Sequence, residues 1–252
     1  MATNNNLTVI IMAAGQGKRM KSSLPKVLHK FNGVPFLVRI VRESQKLCPN
    51  KIIIVVGKEE DLIKNTLLEC GISSTKVIFV HQPVANGTGG AVRCALDFVE
   101  TQDNVLILNG DMPLITSELL ANVHAPIVLE RNVVGRLVIA ELDDPQHYGR
   151  IIKHDDKFVG IIEYKDCDQK EKNVKLVNAG VYYFNGSILK KYIDQISDNN
   201  AQHEYYLTDI IQILAPKYEI ETYLIDTTFN YQILGINTRE ELEELEERYK
   251  DK

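Results

Sequence analysis

The sequence predicts an α/β protein built on a doubly wound, mostly parallel sheet, with a smaller β-rich lobe. Over the first 110 residues, short apolar runs rich in β-branched residues alternate with segments of helical spacing, as in parallel strands joined by crossover helices. The second half instead contains several strand-like runs with few long helices between them. The 252 residues are 44% hydrophobic and 25% charged, which is enough apolar material for a full core.

In the first half, apolar runs predict strands at 7–12, 51–56, 77–80 and 105–108. Helical spacing predicts helices at 36–46, 59–69 and 90–99. Ligands of such sheets bind at the carboxyl ends of the strands. Gly15 and Asp111 each follow a predicted strand, so we expect both at the same rim.

In the second half, strands are predicted at 133–142, 149–152, 158–163, 177–184 and 220–225. Helices are predicted at 187–196 and 206–214. A charged helix closes the chain at 238–249, with Thr238 as its cap and Glu241 three residues on.

Composition excludes several classes of protein. The net charge of -5 leaves no basic footprint for nucleic acid. The N-terminus lacks the pattern of a secretory signal, and no apolar run is long enough to span a membrane. The four cysteines show no metal-ligand spacing, so we expect reduced thiols in a cytoplasmic protein, with no disulfide and no zinc.

The glycine-rich loop after the first strand is the strongest candidate site. Gly15 and Gly17 allow backbone amides to approach phosphate oxygens, and Lys18, Arg19 and Lys26 follow within a dozen residues. The loop matches neither the Rossmann G-x-G-x-x-G pattern nor the Walker G-K-[ST] ending. A plain strand-to-helix turn with a solvated basic flank remains an alternative at this point.

Three polar residues are weaker candidates. Gln82 offers the donor and acceptor that a nucleobase edge requires, although by itself it is better explained as a surface amide in a loop. Asp111 follows a buried strand and is suited to Mg²⁺, or to a turn. Asn237 precedes the last helix, where a helix cap is the alternative.

Motifs along almost the whole chain carry a family resemblance. They begin with Ala13-Ala14-Gly15-Gln16-Gly17-Lys18-Arg19-Met20 and Leu24-Pro25-Lys26-Val27-Leu28, and continue through Asn109-Gly110-Asp111, Tyr148-Gly149-Arg150, Asn178-Ala179-Gly180, Tyr206-Leu207-Thr208-Asp209 and Gly235-Ile236-Asn237. The chain resembles the nucleotide-diphosphate-sugar pyrophosphorylases. It is most similar to the uridyltransferase domain of the bifunctional N-acetylglucosamine-1-phosphate uridyltransferases.

The resemblance implies a Rossmann-like nucleotidyltransferase fold and a role for each matching residue. The nucleotide-binding set is Met12, Ala13, Ala14, Gly15, Gly17, Gln82, Gly87 and Thr88. The sugar-binding set is Asn109, Gly110, Gly149, Glu163, Asn178, Tyr206 and Thr208. Asp111 and Asn237 are the implied Mg²⁺ ligands, and Arg19 and Lys26 the implied catalytic residues.

The implied reaction joins UTP and N-acetylglucosamine 1-phosphate to give UDP-N-acetylglucosamine and pyrophosphate. The sugar phosphate attacks the α-phosphate in line, so catalysis consists mostly of positioning and charge neutralisation. We expect one domain, 1–252, with a nucleotide-binding half at about 1–112, a sugar-binding half at about 113–237 and a C-terminal helix at 238–252.

Three features depart from the family pattern. Lys18 stands where threonine is usual, Asn109 stands where tyrosine is usual, and the chain ends at Lys252 without the family's left-handed β-helix. We therefore expect uridylyl transfer without acetyl transfer. The alternatives are an enzyme that uses another sugar 1-phosphate, such as glucose 1-phosphate, an enzyme that uses dTTP in place of UTP, or a catalytically silent nucleotide-sugar-binding module.

Overall fold

The computed structural model describes residues 6–125, 132–155 and 157–252. Within them, eleven strands and seven α-helices form, joined by loops and short 3₁₀ helices. The strands are β1 (Leu7–Met12), β2 (Lys30–Phe31), β3 (Val34–Pro35), β4 (Lys51–Val56), β5 (Val77–His81), β6 (Asn104–Asn109), β7 (Val133–Glu141), β8 (Arg150–His154), β9 (Lys157–Ile162), β10 (Leu176–Asn185) and β11 (Glu219–Leu224). The helices are α1 (Phe36–Gln45), α2 (Glu60–Glu69), α3 (Thr88–Ala95), α4 (Ser117–His124), α5 (Gly186–Tyr192), α6 (Asp209–Leu214) and α7 (Arg239–Tyr249).

A mixed sheet of nine described strands organises the molecule, in the order β11-β7-β10-β6-β1-β4-β5, with β8 and β9 attached beside β10. The pairs β6–β1, β1–β4, β4–β5 and β7–β11 are parallel, whereas β10 runs antiparallel to both β6 and β7. The predicted doubly wound, mostly parallel sheet is confirmed. β2 and β3 form a separate hairpin.

The central strand β1 shows why the sheet is covered on both faces. Val9, Ile10 and Ile11 are fully buried, which contributes roughly 1.5–3 kcal/mol for each side chain. Val9 and Ile11 pack in the core layer of α1, α2 and α4, while Ile10 packs in the layer of α3, α5 and α6. A strand buried on both faces has a continuous apolar sequence, as this one has.

The reversed strand β10 brings new residues to the rim of the sheet. Because β10 runs opposite to β6, its first residues lie beside the carboxyl ends of β1 and β6. A register shift between Asn178 and Tyr182 interrupts its pairing with β7. Asn178 therefore lies close to the loops that follow Met12 and Asn109.

Four helices differ from the sequence predictions. The predicted helices 90–99 and 187–196 end as α-helix at Ala95 and Tyr192, because a 3₁₀ turn follows each of them. Helix α4 was not predicted, although Thr116 caps it through a hydrogen bond to the amide of Leu119 (3.3 Å). The helix predicted at 206–214 begins only at Asp209, because Tyr206, Leu207 and Thr208 form the turn before it. The predicted cap of α7 is confirmed, since Thr238 Oγ1 accepts a hydrogen bond from the Glu241 amide (3.1 Å). Across the described residues, the helices are too short or too polar to cross a membrane.

Candidate active site

The carboxyl ends of β1 and β6 and the start of β10 border one cleft with two adjoining cavities. A cavity of about 830 Å³ lies over the glycine-rich loop. A second, of about 1100 Å³, lies over the loop before β8, the start of β10 and the segment before α7. Arg19, Asp111 and Asn237 line both cavities, so the two form a continuous space with the candidate metal ligands at their junction.

Gly17 shapes the glycine-rich loop. Its backbone is left-handed, with φ +57°, and a Cβ on it would lie 2.6 Å from Cβ of Lys26. Only glycine combines that conformation with so close an approach. The loop then makes one 3₁₀ turn, in which Met20 is buried while Lys18 and Arg19 remain exposed. The Arg19 side chain makes no hydrogen bond or ion pair within the described part of the chain, and it is free to meet an anion.

Lys26 occupies the centre of the cleft. Its ammonium forms an ion pair with the carboxylate of Asp111 and donates a hydrogen bond to Oδ1 of Asn237 (3.0 Å). The amide of Ile236 donates to the carbonyl of Asp111 (3.0 Å), which holds the segment before α7 against the end of β6. Nδ2 of Asn237 donates to the Gly235 carbonyl (3.2 Å), which turns Oδ1 toward Lys26.

These two oxygens fit the requirements of a Mg²⁺ ion. A carboxylate and an amide oxygen converge on the same positive group, the ammonium of Lys26. Among the described residues, no cluster of three or more histidine, cysteine, aspartate or glutamate side chains could hold a metal. Mg²⁺ commonly takes one or two protein ligands and completes its shell with water and substrate phosphate. A pair of oxygen ligands in an open cleft meets that description.

The predicted nucleotide side is built around Gln82. Its side chain is 6% exposed, and Nε2 donates to Oδ1 of Asn86 (3.0 Å) and to the Gly87 carbonyl (3.2 Å). Gly87 has φ +104°, and a Cβ there would lie 2.5 Å from the Tyr205 carbonyl oxygen. The hydroxyl of Thr88 accepts a hydrogen bond from the amide of Leu207 (3.0 Å). This side of the cleft is thus tied to the turn before α6.

The structure places most of the predicted nucleotide-binding residues along the smaller cavity. Met12, Ala14, Gly15, Gly17, Gln82, Gly87 and Thr88 all line it. Ala13 differs, because its side chain is buried and its amide donates to the Val55 carbonyl (2.8 Å) in the sheet. The amide of Ala13 therefore extends the hydrogen bonding of the sheet, while Met12 and Ala14 face the cleft.

The predicted sugar side is a network of polar groups with fixed orientations. Thr208 donates a hydrogen bond to Oε1 of Glu163 (2.9 Å). Asn178 Nδ2 donates to the Tyr182 hydroxyl (2.6 Å), and its Oδ1 accepts from the Gly180 amide (3.1 Å). Burial raises the pKa of Glu163 above its ordinary value, and the hydrogen bond from Thr208 opposes that shift. Asn109, Gly149, Glu163, Asn178 and Thr208 line the larger cavity, and Gly110 the smaller one.

Tyr206 is the predicted sugar residue that the structure does not bring to this cleft. It lines neither cavity, and its side chain is 6% exposed. Its hydroxyl is buried. Burial raises the pKa of Tyr206 to about 12. Tyr206 lies in the turn that precedes α6, a helix that starts three residues later than the sequence pattern predicted.

Two arginines hold the cleft together and were given no role from the sequence. Arg150 is 1% exposed, and its guanidinium donates to the carbonyls of Pro145, Gln146, Tyr148 and Lys172. Arg239 donates to the carbonyls of Met20 (3.1 Å) and Lys21 (3.2 Å), at the end of the glycine-rich loop. The first of them belongs to the motif Tyr148-Gly149-Arg150, but neither the motif nor the apolar pair Ile151-Ile152 beside it indicated a structural role.

The family of the chain follows from this geometry together with a family model. Residues 9–148 match the model of the MobA-like NTP transferase domain. The chain belongs to this family. As a MobA-like NTP transferase it is a nucleotidyltransferase, and the cleft lies where that chemistry requires it, at the carboxyl ends of parallel strands.

Relatives of this NTP transferase include two that match almost its whole length. A protein of Acanthamoeba polyphaga mimivirus named "Probable UDP-N-acetylglucosamine pyrophosphorylase" is 40% identical over 248 residues, covering 96% of each chain. The bifunctional protein GlmU of Alkaliphilus metalliredigens is 41% identical over 244 residues, which is 96% of this chain and 51% of that protein. The chain spans about half the length of its GlmU relatives.

Solved structures share the fold of this NTP transferase at lower identity. One is a UDP-glucose pyrophosphorylase complexed with UDP-glucose, with a TM-score of 0.74, 16% identity and coverage of 97% of this chain and 98% of that one. Another is HddC from Yersinia pseudotuberculosis, with a TM-score of 0.64, 21% identity and coverage of 96% and 99%. The predicted nucleotidyltransferase fold is confirmed.

Proposed function

We propose that the protein transfers a uridylyl group from UTP to N-acetylglucosamine 1-phosphate in the cytoplasm and releases pyrophosphate. The observation that carries the proposal is the meeting of Lys26, Asp111 and Asn237 at the junction of the two cavities. A phosphoryl-transfer centre belongs where a nucleotide pocket and an acceptor pocket meet. The mimivirus relative, similar over the whole chain, supports this pair of substrates.

In the proposed reaction, a phosphate oxygen of the sugar 1-phosphate forms a new bond to the α-phosphorus of UTP. The bond to the bridging oxygen breaks in line, and its electron pair leaves with pyrophosphate. The nucleophile is already an anion, so the chain needs no general base. The work of the protein is to position the two phosphates and to neutralise their charge.

Each polar group has a role that follows from its place. Lys26, fixed at its base by the turn at Gly17, stabilises the oxygens around the α-phosphorus. Arg19, exposed on the loop, pairs with the triphosphate and the departing pyrophosphate. Asp111 and Asn237 would hold Mg²⁺, which supplies further positive charge to the phosphate oxygens when it is bound.

The acceptor specificity is assigned to the network around Glu163. Its carboxylate and the amide of Asn178 offer an acceptor and a donor to sugar hydroxyls or an acetamido group. Asn109 packs closely against Gly180: a Cβ added at Gly180 would lie 2.3 Å from Nδ2 of Asn109. The small amide at position 109 is therefore part of the wall that selects the sugar.

The test is pyrophosphate release with Mg²⁺ over a matrix of UTP, dTTP, ATP and GTP against several sugar 1-phosphates. We expect the highest kcat/KM for UTP with N-acetylglucosamine 1-phosphate. A preference for glucose 1-phosphate or for dTTP would overturn that substrate alone. No turnover with any pair would favour a binding module.

A further inference from the structure

Tyr148 lines the larger cavity, and its hydroxyl forms hydrogen bonds with two backbone groups of the segment before α7. It donates a hydrogen bond to the Ile233 carbonyl (3.2 Å) and accepts one from the Gly235 amide (3.3 Å). Burial raises the pKa of Tyr148 to about 12, so the hydroxyl stays protonated and can act as donor and acceptor together. Because the hydroxyl already donates one hydrogen bond to the backbone and accepts another from it, we assign it a structural role and not a contact with substrate.

The segment on one side of Tyr148 leads directly to the candidate metal ligands. Gly235 packs against Asp111, since a Cβ on it would lie 3.4 Å from Oδ1. Ile236 donates its amide to the Asp111 carbonyl (3.0 Å). The Asn237 amide donates to the carboxylate of Glu241 (2.6 Å), in the first turn of α7. The hydrogen bonds at 233 and 235 therefore constrain the backbone that presents Asn237.

On the other side, Tyr148 is joined to the candidate sugar site. Its neighbour Gly149 accepts a hydrogen bond at its carbonyl from the Asn178 amide (2.9 Å), and a Cβ at Gly149 would lie 3.4 Å from Oε1 of Glu163. The guanidinium of Arg150 holds the carbonyls of Pro145 and Tyr148 in place. Residues 145–150, here called the sugar loop, are thus held in place beside the candidate sugar site, and Tyr148 reaches from this loop to residues 233–235.

We propose that Tyr148 is a positioning residue that couples the sugar site to the metal site. Its hydroxyl transmits the position of the sugar loop to Asn237, so that occupation of one site organises the other. This inference rests on the proposed function. It assigns to Tyr148 a contribution to metal affinity and to acceptor turnover, and none to recognition of the nucleotide.

The test uses Tyr148→Phe, which removes only the hydroxyl, and Tyr223→Phe as its matched control. Tyr223 loses one hydrogen bond, from Asn122 Nδ2 (3.2 Å), on the edge strand β11. The first readout is the affinity of the protein alone for Mn²⁺, a probe of oxygen-ligand sites, measured by the EPR signal of the free ion. The second is hydrogen exchange of the peptide that contains residues 233–237, with and without sugar 1-phosphate.

Tyr148→Phe is expected to weaken Mn²⁺ binding about tenfold, the usual size of an effect on residues that orient metal ligands. In the wild type, sugar 1-phosphate is expected to slow exchange of this peptide, and in Tyr148→Phe that protection should disappear. The kcat for the acceptor reaction is expected to fall about tenfold, while KM for UTP changes less than twofold. Tyr223→Phe is expected to match the wild type in every measurement.

Unchanged Mn²⁺ affinity in Tyr148→Phe would overturn the inference, even if acceptor turnover falls. Equal protection of the peptide in wild type and variant would overturn it as well, as would a wild type that binds no Mn²⁺. Neither binding readout needs turnover. A wild type that shows the coupling but turns over no substrate pair would refute the proposed function and leave the coupling standing.

Discussion

The ammonium of Lys26 lies 3.0 Å from Oδ1 of Asn237, a residue 211 positions later in the chain. It also pairs with Asp111 from the end of β6. Three segments that are distant in sequence, those of Lys26, Asp111 and Asn237, therefore meet at the ammonium of Lys26. Lys26 neutralises Asp111 in the free protein, and in the proposed reaction it moves onto the substrate phosphates.

Lys26→Ala is expected to lower kcat by about 10²–10³, the usual cost of removing one group that stabilises transition-state charge. It should also lower Tm in the absence of divalent cations, because Asp111 loses its counter-charge, and Mg²⁺ should restore part of that loss. Lys46→Ala, which breaks an exposed pair with Glu43, is the control and should change neither quantity appreciably. A fully active Lys26→Ala enzyme would remove Lys26 from the mechanism.

Arg19→Ala is expected to lower kcat/KM for UTP by at least about 10² while leaving Tm unchanged. The reason is that the exposed Arg19 side chain makes no hydrogen bond or ion pair within the described residues, so its removal costs the fold nothing. Steady-state kinetics and thermal denaturation measure the two effects. Lys21→Ala, also exposed at the end of the same loop, is the control. An equal loss of kcat/KM in both variants would indicate that any positive charge on the loop attracts the nucleotide, and would contradict a specific contact made by Arg19.

A comparison of Gly17→Ala with Gly71→Ala distinguishes the cost of a steric clash from the cost of a left-handed backbone conformation. Both glycines have positive φ, +57° and +78°, but a Cβ at Gly71 would meet nothing within 4 Å, whereas at Gly17 it would meet Lys26. Both variants should lose about 1–2 kcal/mol of unfolding free energy from the left-handed conformation. Only Gly17→Ala should lose more than that and also lose activity. Denaturant titration and turnover of the two variants would show the difference, and equal behaviour would contradict it.

Asp209 is expected to make stability fall as pH rises between about 4 and 6. Burial, together with the charge of Asp166, raises the pKa of Asp209 to about 6. The folded state therefore binds more protons than the unfolded state in that range, so the unfolding free energy decreases as pH increases. Asp209→Asn should raise Tm at pH 7 and leave it nearly unchanged at pH 4. Thermal melts at both pH values test this, with the exposed Asp198→Asn as control. A lower Tm for Asp209→Asn at pH 7 would contradict the assignment.

Some elements could be predicted to the residue because their signal is local. The predicted strands 7–12 and 51–56 coincide with β1 and β4, since continuous β-branched apolar runs are typical of strands buried on both faces. The start of α6 was wrong by three residues, because nothing in the apolar pattern separates the turn at Tyr206 from the helix. Tyr206 therefore lies in that turn, and it lines neither cavity of the cleft.

The sequence by itself determined the fold class, the family and the rim at which the site lies, since apolar periodicity and motif order are properties of neighbouring residues. It identified Lys26, Asp111 and Asn237 but not their contact. Only the tertiary structure decided that these three meet, that Arg150 braces the sugar loop and that Tyr148 reaches residues 233 and 235. Such contacts join segments far apart along the chain, and they depend on how the reversed strand β10 and the segment before α7 pack against the sheet.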